Sequence, residues 1–152
     1  APEGPCAARA GGGKLGGSPW ADILRYDCEM GKGSFGAVSL YRFESKPGCH
    51  GVMAIKEVSS ERQNSRGVNL FQKEVRALQD LRWHPNILAL YDVLAPRRLM
   101  LLEVARGGDV AGLLERVSLE GQIRDRRVQE RRLRLTIMVL VNALRGLAYT
   151  HA

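Results

Sequence analysis

The feature that most constrains the fold is the run GKGSFGAVSLYRF, in which three glycines precede an alternating segment. Gly31, Gly33 and Gly36 form a G-x-G-x-x-G pattern. In dinucleotide-binding folds this pattern leads from a strand into a helix, with an acid about 20 residues further on. Here polar and apolar residues alternate after Gly36, which predicts a second strand. The glycines are therefore expected in a β-hairpin, and an ordinary glycine-rich turn is the alternative to a nucleotide site.

The segments around this hairpin predict an antiparallel sheet followed by helices. A helix with Phe71, Val75 and Leu78 on one face separates the third predicted strand from the fourth. A short helix and a long apolar helix from about residue 128 complete the pattern. This order predicts an α+β fold rather than a doubly wound sheet. Besides AVSLYRF, strands are expected in ILRYDCEM, VMAIKEV, NILALYDVL and RLMLLEV.

Composition limits the class of protein. The chain has 152 residues, of which 45% are hydrophobic and 26% charged, as in a globular domain. Residues 1–19 are glycine-rich and are expected to form a flexible leader. Three cysteines without a C-x-x-C spacing disfavour a disulfide framework or a zinc site. A reducing, cytoplasmic or nuclear, location without membrane attachment is the expectation, and the net charge of +7 permits acidic partners.

Lys56 in MAIK is a cation that faces inward on an otherwise apolar strand. A buried, unpaired ammonium is costly, so this side chain needs an anion. Taken alone, Lys56 could instead be a strand-edge lysine that extends to solvent.

A set of ordered motifs gives the chain its resemblance to a known family. Residues 25–152 resemble the eukaryotic protein kinase domain, and only its N-terminal half. The resemblance implies a kinase-like small lobe at 24–104, with a five-stranded antiparallel sheet plus a helix. It also implies a hinge and an incomplete start of the large lobe, with its first helices, at 105–152. The motifs are YDCEMGKGSFGAV, MAIKEV, FQKEV, HPNIL, LLEVARGGDV and LRGLAYTH.

The resemblance implies an ATP site. Lys56 and Glu74 would be the catalytic pair, with Lys56 on the α- and β-phosphates. Phe35 would cover the γ-phosphate, and Leu102 would be the gatekeeper. Asp109 would reach the ribose, although a helix N-cap role is equally open. The implied ATP-binding residues are Gly31, Lys32, Gly33, Ser34, Phe35, Gly36, Val38, Ala54, Lys56, Leu102, Glu103, Ala105 and Asp109. Val38 and Ala54 would cover the adenine, and backbone groups of Glu103 and Ala105 would bind its edge.

Two motifs of the family, HRD-x-x-x-x-N and DFG, do not occur in the sequence. They would supply the catalytic Asp and the Mg²⁺ ligands, so Mg²⁺ is expected for the full domain and no metal site for this chain. The resemblance implies a serine/threonine kinase acting on protein, with weak likeness to the NIMA-related and calcium/calmodulin-type groups. The chain alone is predicted to be inactive. The alternatives are a non-catalytic nucleotide-binding or protein-interaction module derived from a kinase domain, and an unrelated glycine-loop protein.

The segment RDRRVQERRLR, residues 124–134, carries six arginines. A solvated loop and helix start is the simplest interpretation, and an acidic protein partner is the main alternative. Nucleic acid is disfavoured, because no aromatic residues are interleaved to stack on bases. Positive charge is unfavourable at a helix N-terminus, so the loop is expected to extend further than in the family. Beyond about residue 133 we expect an exposed apolar helix face.

Overall fold

The computed structural model describes residues 15–33, 36–46, 48–58, 65–81, 83–119 and 125–151. The chain divides into two compact units, the first formed by residues 1–82 and 89–104 and the second by residues 83–88 and 105–152. The elements in chain order are β1 Leu24–Gly33, β2 Gly36–Lys46, β3 Cys49–Val58, α1 Ser65–Asp80, β4 Leu90–Leu94, a 3₁₀ turn Ala95–Arg97, β5 Leu99–Leu102, α2 Val110–Leu119 and α3 Arg126–Thr150.

The first unit is a five-stranded antiparallel sheet with one helix. Its strand order is β1-β2-β3-β5-β4, so the chain returns after α1 to add β5 next to β3 and β4 at the edge. Every neighbouring pair is antiparallel. This confirms the α+β prediction of a five-stranded antiparallel sheet followed by helices.

Alternation along the strands divides the core of the first unit into two clusters. Because successive side chains of a strand point to opposite faces, Ile55 enters one cluster and Ala54 the other. Phe71 and Val75 of α1 pack with Ala54, so this cluster lies between sheet and helix. We call it the helix-side cluster, and it also contains Met100 and Leu102. The other, the outer cluster, is formed by Leu15, Leu24, Tyr41, Met53, Ile55, Leu99 and Leu101.

The residues just before β1 cover the outer cluster. Leu15 is 0% exposed, and Trp20 and Ala21 pack against the same cluster. The Trp20 indole Nε1–H also donates to Asp92 Oδ2 at 2.6 Å. The structure therefore differs from the flexible leader expected over residues 1–19, because residues 15–19 belong to the packed unit. The rest of that expectation, residues 1–14, lies outside the described residues.

The second unit is built from α2, α3 and the loop 83–88. The loop contacts the end of α3, where the His84 ring stacks on Tyr149 with centroids 4.7 Å apart. Beside it, the Asn86 backbone lies so close to Gly146 that a Cβ there would be 2.9 Å from the Asn86 carbonyl oxygen. A glycine at position 146 thus lets the loop approach the helix backbone.

Helix α3 begins earlier than its basic composition suggested. It starts at Arg126, because the Asp125 carboxylate accepts a hydrogen bond from the Arg127 amide at 2.8 Å and caps the helix. The helix thus begins two residues before the start expected near residue 128, and a loop longer than in the family stays a prediction. An aspartate directly before the first turn places negative charge at the positive end of the helix and offsets the arginines.

The predicted apolar face of α3 is exposed. Leu133, Ile137, Leu140, Leu144 and Leu147 are each more than half exposed. Within the described residues, α3 is also the one helix that is long and apolar enough to cross a membrane, judged by length and composition only. One such helix is weak evidence, because the core helix of a soluble protein passes the same test. The absence of membrane attachment stays a prediction.

Candidate functional site

The glycine pattern lies where β1 turns into β2. Gly31 pairs with Val38, and Gly33 pairs with Gly36 as the last pair of the antiparallel ladder. A strand, not a helix, follows the glycines, as the alternation predicted. Ser34 and Phe35, two of the predicted ATP-binding residues, lie outside the described residues. Lys32 is exposed on β1 and is paired in register with Ala37.

The three glycines have different surroundings. Gly36 has a φ of +142°, and a Cβ on it would overlap the carbonyl oxygen of Glu57 on β3. This glycine is required by the close approach of two strands. At Gly31 and Gly33 a Cβ would meet nothing within 4 Å. Their open surroundings leave the backbone accessible, which is what a phosphate group needs to reach main-chain N–H donors.

Lys56 and Glu74 form an ion pair between the sheet and α1. The Lys56 Nζ lies 2.5 Å from Glu74 Oε1, and the side chains are 22% and 41% exposed. Lys56 is on β3 opposite Val38 of β2, so its ammonium projects from the same face of the sheet as the helix-side cluster. An ammonium has three N–H donors. One of them bonds to Glu74 Oε1 in the described part of the chain, which leaves donors for phosphate oxygens.

The residues predicted to contact adenine share one cluster. Ala54 and Leu102 are buried members of the helix-side cluster and are paired in register across β3 and β5. Val38 packs against the same cluster from β2. Leu78 of α1 and Leu90 of β4 also pack against it. The fold thus brings these apolar side chains together, and their roles toward a ligand stay predictions.

A hydrogen-bond arrangement at the end of β5 was not predicted from the sequence. The Glu103 amide donates to the Ala89 carbonyl at 2.9 Å. The Ala89 amide in turn donates to the Glu103 side chain, at 3.2 Å from Oε2. No motif marks this contact. The sequence offers one hint of a special role for Glu103: this glutamate directly follows four consecutive buried residues, Leu99–Leu102.

The remaining predicted residues belong to the second unit. Ala105 is exposed. The Asp109 carboxylate accepts a hydrogen bond from the Gly112 amide at 2.6 Å, so Asp109 acts as the N-cap of α2. The Arg116 guanidinium donates to the Gly107 carbonyl at 2.8 Å, which ties α2 back to the glycine turn before it. The structure shows the capping contact, and the ribose contact stays a prediction.

The basic segment, residues 124–134, is described from residue 125 onward. Arg126 pairs with Glu130 one turn later at 3.0 Å, with both side chains well exposed. Arg124 lies outside the described residues. An acidic partner for this segment stays a prediction.

In the described part of the chain, no group of three or more His, Cys, Asp or Glu side chains could hold a metal ion.

Comparison with known proteins assigns the family. The model of the protein kinase domain matches residues 24–152, which is most of the chain and begins at the first residue of β1. No curated protein matches the chain. The match covers the glycine hairpin, the Lys56–Glu74 pair and both units from β1 onward. The chain therefore belongs to the protein kinase domain family.

Proposed function

We propose that this chain is the ATP-binding portion of a serine/threonine protein kinase. The observation that carries the proposal is the Lys56–Glu74 ion pair, which joins the sheet to α1 at 2.5 Å. Family membership supports a kinase-type module that acts on protein. The specificity for serine and threonine rests on the likeness of GKGSFG and of the segment from GGDV to EGQI to that group of kinases.

The triphosphate would be bound by backbone and by charge. The accessible glycines at 31 and 33 would let main-chain N–H groups reach its oxygens. Lys56 would neutralise the α- and β-phosphates while Glu74 holds the ammonium in position. This division of roles explains why a lysine on the helix-side face is paired and yet 22% exposed. A purely structural pair would leave nucleotide binding unaffected.

The adenine would lie against the apolar residues of the helix-side cluster. Val38, Ala54 and Leu102 come from three neighbouring strands and converge on that cluster. Apolar walls with a few polar groups are typical of small-molecule sites. The polar group at this end would be the Glu103 backbone, which follows Leu102 directly.

Nucleotide affinity of Lys56→Met tests the proposal. A charge-assisted contact to phosphate is worth roughly 1.5–3 kcal/mol, so the variant should bind ATP about 10- to 100-fold more weakly. Lys73→Met is the matched control, because Lys73 is an exposed lysine on α1 next to Glu74. Displacement of a fluorescent nucleotide analogue by ATP gives the affinities. Equal affinities for the unsubstituted chain and both variants would reject the ATP site.

Phosphoryl transfer by this chain alone is not expected. The sequence has no HRD or DFG motif, so it lacks both the Asp that orients the acceptor hydroxyl and the Mg²⁺ ligands. Incubation with radiolabelled ATP and a basic protein substrate should give no labelled protein. Labelling that disappears in Lys56→Met would contradict this expectation and assign activity to the chain itself.

A further inference from the structure

The shape of the loop 83–88 depends on hydrogen bonds to one residue, His84. The His84 carbonyl accepts a bond from the Ile87 amide at 3.0 Å, which closes a tight turn. The ring Nδ1 of His84 accepts a second bond from the Asn86 amide at 3.1 Å. Because Pro85 has no N–H, the Asn86 amide is the first backbone donor after His84. The side chain and the main chain of His84 therefore both hold the turn.

The same turn contacts α3. The His84 ring stacks on Tyr149 with centroids 4.7 Å apart and an interplanar angle of 22°. Beside the stack, a Cβ at Gly146 would lie 2.9 Å from the Asn86 carbonyl oxygen, so loop and helix backbones are in close contact. A shift of Asn86 therefore changes the fit between the loop and the helix, because neither backbone has room to move toward the other.

The hydrogen bond from Asn86 requires an unprotonated nitrogen on His84. An imidazole nitrogen accepts only while it carries no proton, so the neutral ring bears its proton on Nε2. A histidine ring takes up a second proton in the range of about pH 5–8. In the charged ring both nitrogens are donors, so an Nδ1–H would face the N–H of Asn86. Protonation thus replaces an attraction inside the turn with a repulsion.

We propose that His84 is a proton-sensitive anchor, which holds loop 83–88 on α3 while its ring is neutral and loosens this contact when the ring is protonated. The bond from Asn86 is present above the titration of the ring and is lost as the pH falls through it. The stack on Tyr149 changes less, because a cationic ring is still attracted to an aromatic face. The inference is separate from the proposed ATP site, since loop and helix both belong to the second unit.

The other titratable or charged groups near the ring belong to α3 and its end. Tyr149 contacts the ring, Arg145 lies one helical turn before Tyr149, and His151 follows two residues after it. Tyrosine and arginine side chains do not change charge between about pH 5 and 8, whereas a histidine does. The loop 83–88 has no titratable side chain besides His84. His151 is therefore the group from which His84 has to be distinguished.

Hydrogen exchange of the Asn86 amide in the full chain, followed by NMR at about pH 5 and about pH 7.5, tests the anchor. Protection is the exchange rate after correction for the intrinsic pH dependence of exchange. It should be about 2- to 10-fold lower at the acidic pH, as expected for the loss of one hydrogen bond between neutral groups. The Leu113 amide, which donates to the Asp109 carbonyl in the same unit, is the internal reference and should keep its protection.

Two substitutions separate the acceptor from the stack. His84→Asn retains an acceptor for the amide two residues on, as in Asx-turns, and does not titrate, so the protection of Asn86 should agree within about 2-fold at both pH values. His84→Phe retains an aromatic ring but no acceptor, and protection should be low at both. His151→Asn is the matched control, because it removes the other histidine near Tyr149, and it should leave the pH dependence unchanged.

Four results would overturn the anchor. Protection of Asn86 that does not change with pH in the unsubstituted chain would show that protonation leaves the turn intact. A pH dependence that persists in His84→Asn, or disappears in His151→Asn, would assign it to another group. Full protection in His84→Phe would remove the role of Nδ1. An equal acidic loss of protection at Leu113 would mean that the whole second unit loosens.

Discussion

The two units differ in how completely they bury their apolar residues. In the first unit the whole of β5, Leu99–Leu102, is buried between the outer cluster and the helix-side cluster. In the second unit, Gly146 is the only buried residue of α3, although that helix spans 25 residues. The first unit thus has a core on both faces of its sheet. The second presents a stripe of apolar side chains to solvent.

This difference indicates where the folding free energy resides. Burial of apolar surface is the main favourable term in folding, so β5 and its neighbours should dominate the stability of the first unit. An exposed row of leucines contributes little and favours association with other apolar surfaces. The two units offer matched residue pairs, one in each unit, that test the contrast directly.

The largest effect is expected for a pair of leucines. Leu101 is fully buried in the outer cluster, and Leu101→Ala should lower the free energy of unfolding by about 2–5 kcal/mol. Leu144 is 61% exposed, and Leu144→Ala should change it by less than about 0.5 kcal/mol. Urea titrations followed by circular dichroism measure both. Similar losses for the two variants would show that α3 is packed as tightly as the sheet.

A smaller effect is expected for a pair of glycines that both lie against backbone. At Gly36 the positive φ and the overlap with the Glu57 carbonyl should make Gly36→Ala cost about 2 kcal/mol or more. At Gly146 the contact with Asn86 is looser, and alanine gains about 1 kcal/mol of helix propensity over glycine. The net cost of Gly146→Ala should be below that of Gly36→Ala. Thermal unfolding of both variants gives the order, and a reversed order would contradict the assigned contacts.

The smallest effect is expected for the two tryptophans. Trp20→Phe removes the Nε1–H···Oδ2 hydrogen bond to Asp92 and should cost about 1–2 kcal/mol. Trp83 is 80% exposed, so Trp83→Phe should lie within about 0.5 kcal/mol of the unsubstituted chain. A double-mutant cycle of Trp20→Phe with Asp92→Ala isolates the contact in urea unfolding. A coupling energy near zero would mean that Trp20 stabilises by packing alone.

Local sequence patterns predicted much of the first unit. Alternation predicted strands in AVSLYRF and VMAIKEV, and in the structure the neighbouring residues Ala54 and Ile55 of β3 enter different clusters. The need of a partly buried cation for an anion, together with the acid that the kinase resemblance implied on the next helix, predicted the pairing of Lys56 with Glu74. These inferences succeed because the period of each element and the electrostatics of one pair are local properties.

Long-range contacts of single residues were not predictable. Trp20 bonds to Asp92, 72 residues away, and the glycine-rich composition around Leu15 concealed its burial. The contact of the Glu103 side chain with the Ala89 amide depends on the register of β4, which one extra residue shifts between Leu90 and Asp92. The start of α3 lies two residues before the predicted one, because the Asp125 carboxylate caps the helix ahead of the arginines. In each case the folded structure decides which of several possible contacts a residue makes, and the local sequence does not.

The burial of Leu15 bears on where this protein can be cut. The family match begins at Leu24, nine residues after Leu15 and four after Trp20. A truncated version that starts at the family border would keep every strand, yet lose two side chains that shield the outer cluster from water. Such a fragment should expose Tyr41 and Leu101 and precipitate more readily. The boundary of a shared sequence pattern is therefore not the boundary of the smallest stable piece.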